Sequence, residues 1–146
     1  MTRSSLALHR RWLGLCSMLV LHLAFVGGAA NAAAPVLQSA VSRMTHGTAG
    51  TFDVQLPLTG ASGIECRANG VGLSIVLSFD QTVVSGTAAI TAGTATVSGS
   101  PVFATNTMTV NLSSVADAQA VTLTVSNVKN SSGTALPSAA VPFRVL

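Results

Sequence analysis

Leu73, Ile75, Leu77 and Phe79 recur at every second position, and the pleat of an extended strand places all four on one face. Ser74 and Ser78 fall on the other face with Val76 between them, so one side is strongly apolar and the other lightly so. This predicts the central strand of an antiparallel sheet packed against a second sheet. The pattern repeats more weakly on both sides. Val36, Leu37 and Val41 mark a first strand over 35–44, and Thr45 to Gly50 is a turn rich in Gly and Thr. Phe52, Val54 and Leu56 then point inward, Asp53 and Gln55 outward, until Pro57 ends the ladder. Ile64, Cys66 and Ala68 share the inward face of a short strand, with Glu65 and Arg67 opposite. Asn69-Gly70 predicts a hairpin between that strand and the central one.

Beyond Asp80 the segment 83–98 consists of small Ala, Thr and Val pieces punctuated by Gly86 and Gly93, and predicts two short strands with weakly specified register. A further piece starts at Pro101. Met108, Val110 and Leu112 share a face, as do Val121, Leu123 and Val125, and finally Val141, Phe143 and Val145. Residues 113–119 read as a helical turn or a polar connection, and Asn127 to Gly133 as a turn. Seven to nine short strands with no amphipathic helix after Ala32 predict an all-β fold. The expected architecture is an immunoglobulin-like antiparallel β-sandwich, one domain over 33–146.

The first 32 residues follow a different pattern. Arg3, Arg10 and Arg11 precede an apolar run, Trp12 to Val26, interrupted only by Ser17 and His22, and Ala30-Asn31-Ala32 supplies small residues for cleavage. This is the layout of a secretory signal peptide. The run of about 15 residues falls short of the roughly 20 a spanning helix needs. Leu13-Gly14-Leu15-Cys16 has the outline of a lipoprotein box, but Leu15 is too large for its position. Arg10-Arg11 is followed by Trp12-Leu13-Gly14, a poor twin-arginine match. Export by the general secretory pathway to the medium or the cell surface is expected, with no membrane contact after cleavage.

Removing that segment changes the charge. The chain carries a formal +3 with seven basic residues, and three of them leave with the signal. Four then stand against Asp53, Glu65, Asp80 and Asp117, so the remainder is formally neutral and has no basic footprint for nucleic acid. Charged residues make up 8% of the chain and hydrophobic ones 49%, which excludes disorder by composition and fits a β-fold with a Ser/Thr surface.

Candidate chemistry is sparse. His46 is the one histidine after the signal, and no serine sits in a Gly-x-Ser-x-Gly elbow, so no hydrolase triad can be assembled from sequence. Four acids at unrelated spacings name no glycosidase pair; Glu65 and Arg67 instead read as surface charges that pair with each other or across the sheet. No metal-ligand spacing occurs, and no cofactor is implied. Cys66 has no intrachain partner once Cys16 is gone; its phase with Ile64 predicts a buried free thiol rather than an intermolecular link. The remaining chain has no Tyr or Trp on which sugars could stack. Asn111-Leu112-Ser113 and Asn130-Ser131-Ser132 fit the glycosylation triplet, a pattern common in Ser-rich chains.

One stretch is specific. Ser42-Arg43-Met44-Thr45-His46-Gly47-Thr48-Ala49-Gly50-Thr51-Phe52-Asp53-Val54, then Leu56-Pro57-Leu58-Thr59-Gly60 and Gly63-Ile64-Glu65-Cys66-Arg67, resembles an uncharacterised module of secreted bacterial surface proteins, often found beside dockerin-type repeats. Residues 77–83 and 125–137 are similar, more loosely, to bacterial Ig-like repeats. The resemblance implies a sandwich in an exported protein and singles out Arg43, His46, Asp53, Glu65, Cys66 and Arg67 as motif residues without an assigned role. It transfers no activity. Dockerin-like repeats would be expected after the last strand, where the chain stops at Leu146, so the layout has two readings: a fragment of a larger surface protein, or a free-standing module. The function expected is non-enzymatic: adhesion, spacing or protein–protein contact, the alternative being a polysaccharide-associated accessory module. The partner would be a protein or surface polymer, and edge strands rich in Thr and Ala are candidates to accept a neighbour's strand.

Cleavage after Ala32 predicts an exported protein beginning near Ala33. An intact-mass measurement should return the mass of residues 33–146; a mass that retains residues 1–32, or a lipid on Cys16, would contradict it.

Overall fold

The computed structural model describes residues 32–66 and 72–146, and there the alternation becomes two packed β-sheets. Ten strands follow one another: β1 (Leu37–Thr45), β2 (Thr51–Gln55), β3 (Gly63–Glu65), β4 (Leu73–Phe79), β5 (Val83–Ala92), β6 (Thr96–Val97), β7 (Val102–Ala104), β8 (Thr107–Ser113), β9 (Gln119–Asn130) and β10 (Ala135–Val145). One sheet has the order β2-β1-β4-β8-β6, with β7 also paired to β8; the other runs β3-β10-β9-β5. Every pairing is antiparallel except β3 with β10.

The core is the facing pair of apolar surfaces. Leu73, Ile75, Leu77 and Phe79 of β4 are buried beside Met108, Val110 and Leu112 of β8. Opposite them lie Val121, Leu123 and Val125 of β9 with Val141, Phe143 and Val145 of β10. Each of these side chains contributes roughly 1.5–3 kcal/mol by leaving water. That layer, rather than Thr/Ser surface pairing, drives the two sheets together. β4 is the central strand of its sheet, as its pattern predicts.

Four expectations are overturned. The short strand β3 forms no hairpin with β4; it lies parallel to β10 in the opposite sheet, with Phe143, Arg144 and Val145 beside Gly63, Ile64 and Glu65. That register carries Gly63 and Glu65 inward with Phe143 and Val145, so Glu65 is fully buried while Ile64 is 52% exposed and Cys66 exposed. Gly63 makes this possible, since a Cβ there would lie 2.8 Å from the Gln55 carbonyl oxygen and 3.0 Å from Leu56 Cα. Phe52 is 52% exposed rather than inward, because the β1–β2 hairpin runs past the last β1–β4 pair, Arg43 with Ser74. Finally, β9 continues through Asn127 to Asn130. Asn127 spends its tolerance of positive φ (52°) on a kink inside the strand instead of a turn. The expected signal segment through residue 31, Arg67 and the Asn69-Gly70 turn lie outside the described residues.

At the free edge of the second sheet, β5 is long and carries no charge, but its pairing with β9 shifts register three times. Only Thr87 to Ile90 stay in regular pairing.

Polar side chains fasten the connections. Gln119 works like a piece of strand: its Oε1 accepts from Thr94 N at 2.7 Å, and its Nε2 donates to the carbonyls of Thr94 (2.7 Å) and Ala116 (2.8 Å). Asn130 is 3% exposed. Its Nδ2 donates to the Ala33 carbonyl (2.9 Å) and Gln81 Oε1 (3.1 Å), and its Oδ1 accepts from Ser132 N (3.1 Å) and Thr134 N (2.9 Å). Gln81 Nε2 closes the cluster on the same Ala33 carbonyl at 3.0 Å. Both amide protons and the oxygen are therefore used, which also removes Asn130 as a glycan acceptor, whereas Asn111 is exposed.

Replacing Asn130 leaves four hydrogen bonds of a part-buried cluster unmade at once, and each unsatisfied buried group costs about 1–3 kcal/mol. Asn130→Ala should lose about 2–4 kcal/mol in denaturant unfolding. Asn130→Asp should recover little of it, because a carboxylate cannot donate to two oxygens. A loss under about 1 kcal/mol for Asn130→Ala would show that the cluster is not needed.

Candidate functional site

The β1–β2 hairpin brings together three of the six motif residues. Arg43 and Asp53 are directly opposed across the ladder. Arg43 Nε donates to Asp53 Oδ1 and Nη2 to Oδ2, both at 2.8 Å, a two-pronged match of planar guanidinium to carboxylate. Asp53 pushes the Arg43 guanidinium further above its already high ordinary value, first through the hydrogen bond and then through charge. The sign is that of a stabilising contact that is present through the neutral range and is lost as pH rises through the Arg43 titration in strong alkali. With the side chains 46% and 34% exposed, it contributes no more than about 1 kcal/mol. Its effect is to hold Arg43 in one orientation.

His46 opens the single turn of 3-10 helix, Gly47–Ala49, between the two strands. Its backbone N–H donates to the Gly50 carbonyl and its carbonyl accepts from Ala49 N, both at 2.9 Å. Its ring meets Phe52 edge-on at 5.8 Å. The remaining motif residues lie elsewhere: Glu65 ends β3 in the other sheet and Cys66 follows it, and the Glu65 carbonyl accepts from Leu146 N at 3.1 Å. The expected surface pairing of Glu65 is corrected by its full burial, and Arg67 is outside the described residues. Among the described residues, no three His, Cys, Asp or Glu side chains converge to hold a metal ion, and no helix is long and apolar enough to cross a membrane.

Beside the hairpin, where β1 parts from β4, the outer face of the first sheet carries a groove of about 520 Å³. Strand register builds it. Arg43 pairs with Ser74, Ser74 pairs with Asn111, and Ser98 N donates to the Asn111 carbonyl at 2.8 Å, so one polar row crosses the sheet. Thr45 and Ser113 flank it. Thr45 is itself tied to the hairpin by a hydroxyl–hydroxyl hydrogen bond to Thr51 at 2.9 Å. Gly72 sits where a Cβ would come within 2.5 Å of the Leu112 carbonyl oxygen, so only glycine lets β4 enter this close to β8. Of this groove the sequence motif contains Arg43, Met44 and Thr45, of which the resemblance singles out Arg43 alone. Ser74, Ser98 and Asn111 sit on three separate segments, and their one sequence signal is outward phase on β4 and β8.

Comparison of the chain with protein-family models, curated proteins and solved structures gave no match.

The exposure of Cys66 reverses the expected outcome of a labelling experiment. In the native protein a thiol reagent should modify Cys66 at a rate close to that in denaturant. Strong protection would contradict the placement of β3.

Proposed function

We propose that the protein is a secreted, non-enzymatic immunoglobulin-like module that acts by presenting surface, for adhesion, spacing or protein contact outside the cell. The observation that carries this reading is where the reactive side chains go. Arg43 and Asp53 occupy each other on the first sheet, while Glu65 is buried in the second. An acid, a base and a nucleophile would have to share one cleft for hydrolysis, and these residues are spent on structure. What the molecule offers to the outside is a stiff sheet face with a preset hairpin beside it.

Strand order supports the immunoglobulin-like assignment. With β1, β4, β8 and β6/β7 as strands A, B, E and D, and β5, β9 and β10 as C, F and G, the two sheets follow the A-B-E-D and C-F-G orders of that fold. β3 is then a split-off part of strand A running parallel to G, and β2 is an added edge strand. Export rests on the character of the first 32 residues, and the class of surface module on the motif around Arg43, His46 and Asp53.

The reading is tested by assaying the purified exported protein on polysaccharide, ester and peptide substrates. No turnover above that of a His46→Ala/Asp53→Asn variant is expected. Turnover that disappears in this variant, with its fold intact by circular dichroism, would overturn the reading.

A further inference from the structure

We infer that the groove on the outer face of the first sheet binds a neutral polysaccharide chain laid across the strands. The inference rests on the contact-module reading above and names the partner chemistry of that surface. Three features carry it: charge, hydrogen-bonding type and spacing.

Among the described residues the lining of the groove is mixed and carries no net charge: Ser, Thr, Asn and Arg43 side chains stand beside Met44, Leu73 and Leu112. Arg43 is the one ionisable side chain among the described residues lining it, and Asp53 neutralises it through two 2.8 Å hydrogen bonds. A phosphate, a nucleic acid or an acidic peptide would find no net attraction there. Nor would a cation, because no carboxylate is among the described residues lining it. Ser74, Ser98, Ser113 and the Asn111 amide each both donate and accept, and Arg43 Nη1 takes no part in the pair with Asp53. A sugar hydroxyl also donates and accepts, so this is the ligand type that such a lining satisfies.

The spacing fits a chain rather than a single sugar. Arg43, Ser74 and Asn111 stand on adjacent strands, each separated by about 4.8 Å, and Ser98 extends the row beyond β8. That repeat is close to the length of one sugar unit in an extended polysaccharide, so successive units can each meet a polar side chain. The strands hold this row in place, and the pair with Asp53 fixes Arg43, so little ordering is needed on binding. With no aromatic side chain among the described residues lining the groove, affinity is expected to come from the length of the chain, and short oligosaccharides should bind weakly.

The test is electrophoresis of the exported protein through native gels cast with soluble β-glucan, xylan, mannan or dextran, or with polygalacturonate as an acidic polymer. At least one neutral polymer should retard the protein, equally at low and high salt. The S74A/N111A variant changes two outward positions and should bind at least about tenfold more weakly. His46→Ala, outside the groove, should bind as the parent does. The proposal is overturned if no neutral polymer retards the protein. It is equally overturned if only polygalacturonate does so and salt abolishes the effect, or if S74A/N111A, folded by circular dichroism, binds like the parent. Each of those results leaves the contact-module reading standing, since that reading falls only on turnover.

Discussion

Asn130 joins three parts of the chain that are far apart in sequence, and the sandwich's connections follow from where it sits. Its two amide protons reach the entering segment at Ala33 and the β4–β5 crossing at Gln81, while its oxygen holds the turn between β9 and β10. The end of the longest hairpin, the passage from one sheet to the other and the approach to β1 therefore share a single buried amide. A core built of Val, Leu and Ile has little directional preference of its own, so sheets made of such strands could slide. A buried amide with every hydrogen bond made does have direction, because any slip would leave it unsatisfied in a dry place. Gln119 plays the matching part at the other end of β9, binding the Thr94 backbone as a neighbouring strand would.

Much of the fold was legible because alternation reports directly on a face. β4, β8 and β9 combine an apolar phase with an opposite face made mainly of Ser, Thr or Asn, β10 sets Ala140, Pro142 and Arg144 opposite its own, and all four bury the residues their pattern marks. Alternation failed in β3, whose three residues cannot define a phase against the register of a partner far along the chain. Ile64 and Cys66 have the apolar parity, yet pairing beside Phe143 and Val145 turns Glu65 inward. Asn127 misled for a related reason: the same tolerance of positive φ serves a turn or a kink, and only the neighbouring strand decides.

The candidate site was legible in part. Arg43 and Asp53 stand out in a motif, but their opposition depends on the length of the connection from Thr45 to Thr51, which sets them in register. The polar row running from Arg43 through Ser74 and Asn111 to Ser98 could not be read from the chain. It exists only after β1, β4 and β8 are placed side by side. Such a row has no sequence motif, because its residues are ordinary outward positions that become a surface through pairing.

The broken register of β5 bears on how copies of this protein would behave when crowded. A long, uncharged strand at a sheet edge normally invites another chain to continue the ladder, and β5 has neither Lys nor Pro to prevent it. Its kinks interrupt that template after four regularly paired residues, Thr87 to Ile90. Copies packed close together therefore stand as separate bodies, without zipping into fibres, while their outer sheet faces stay open.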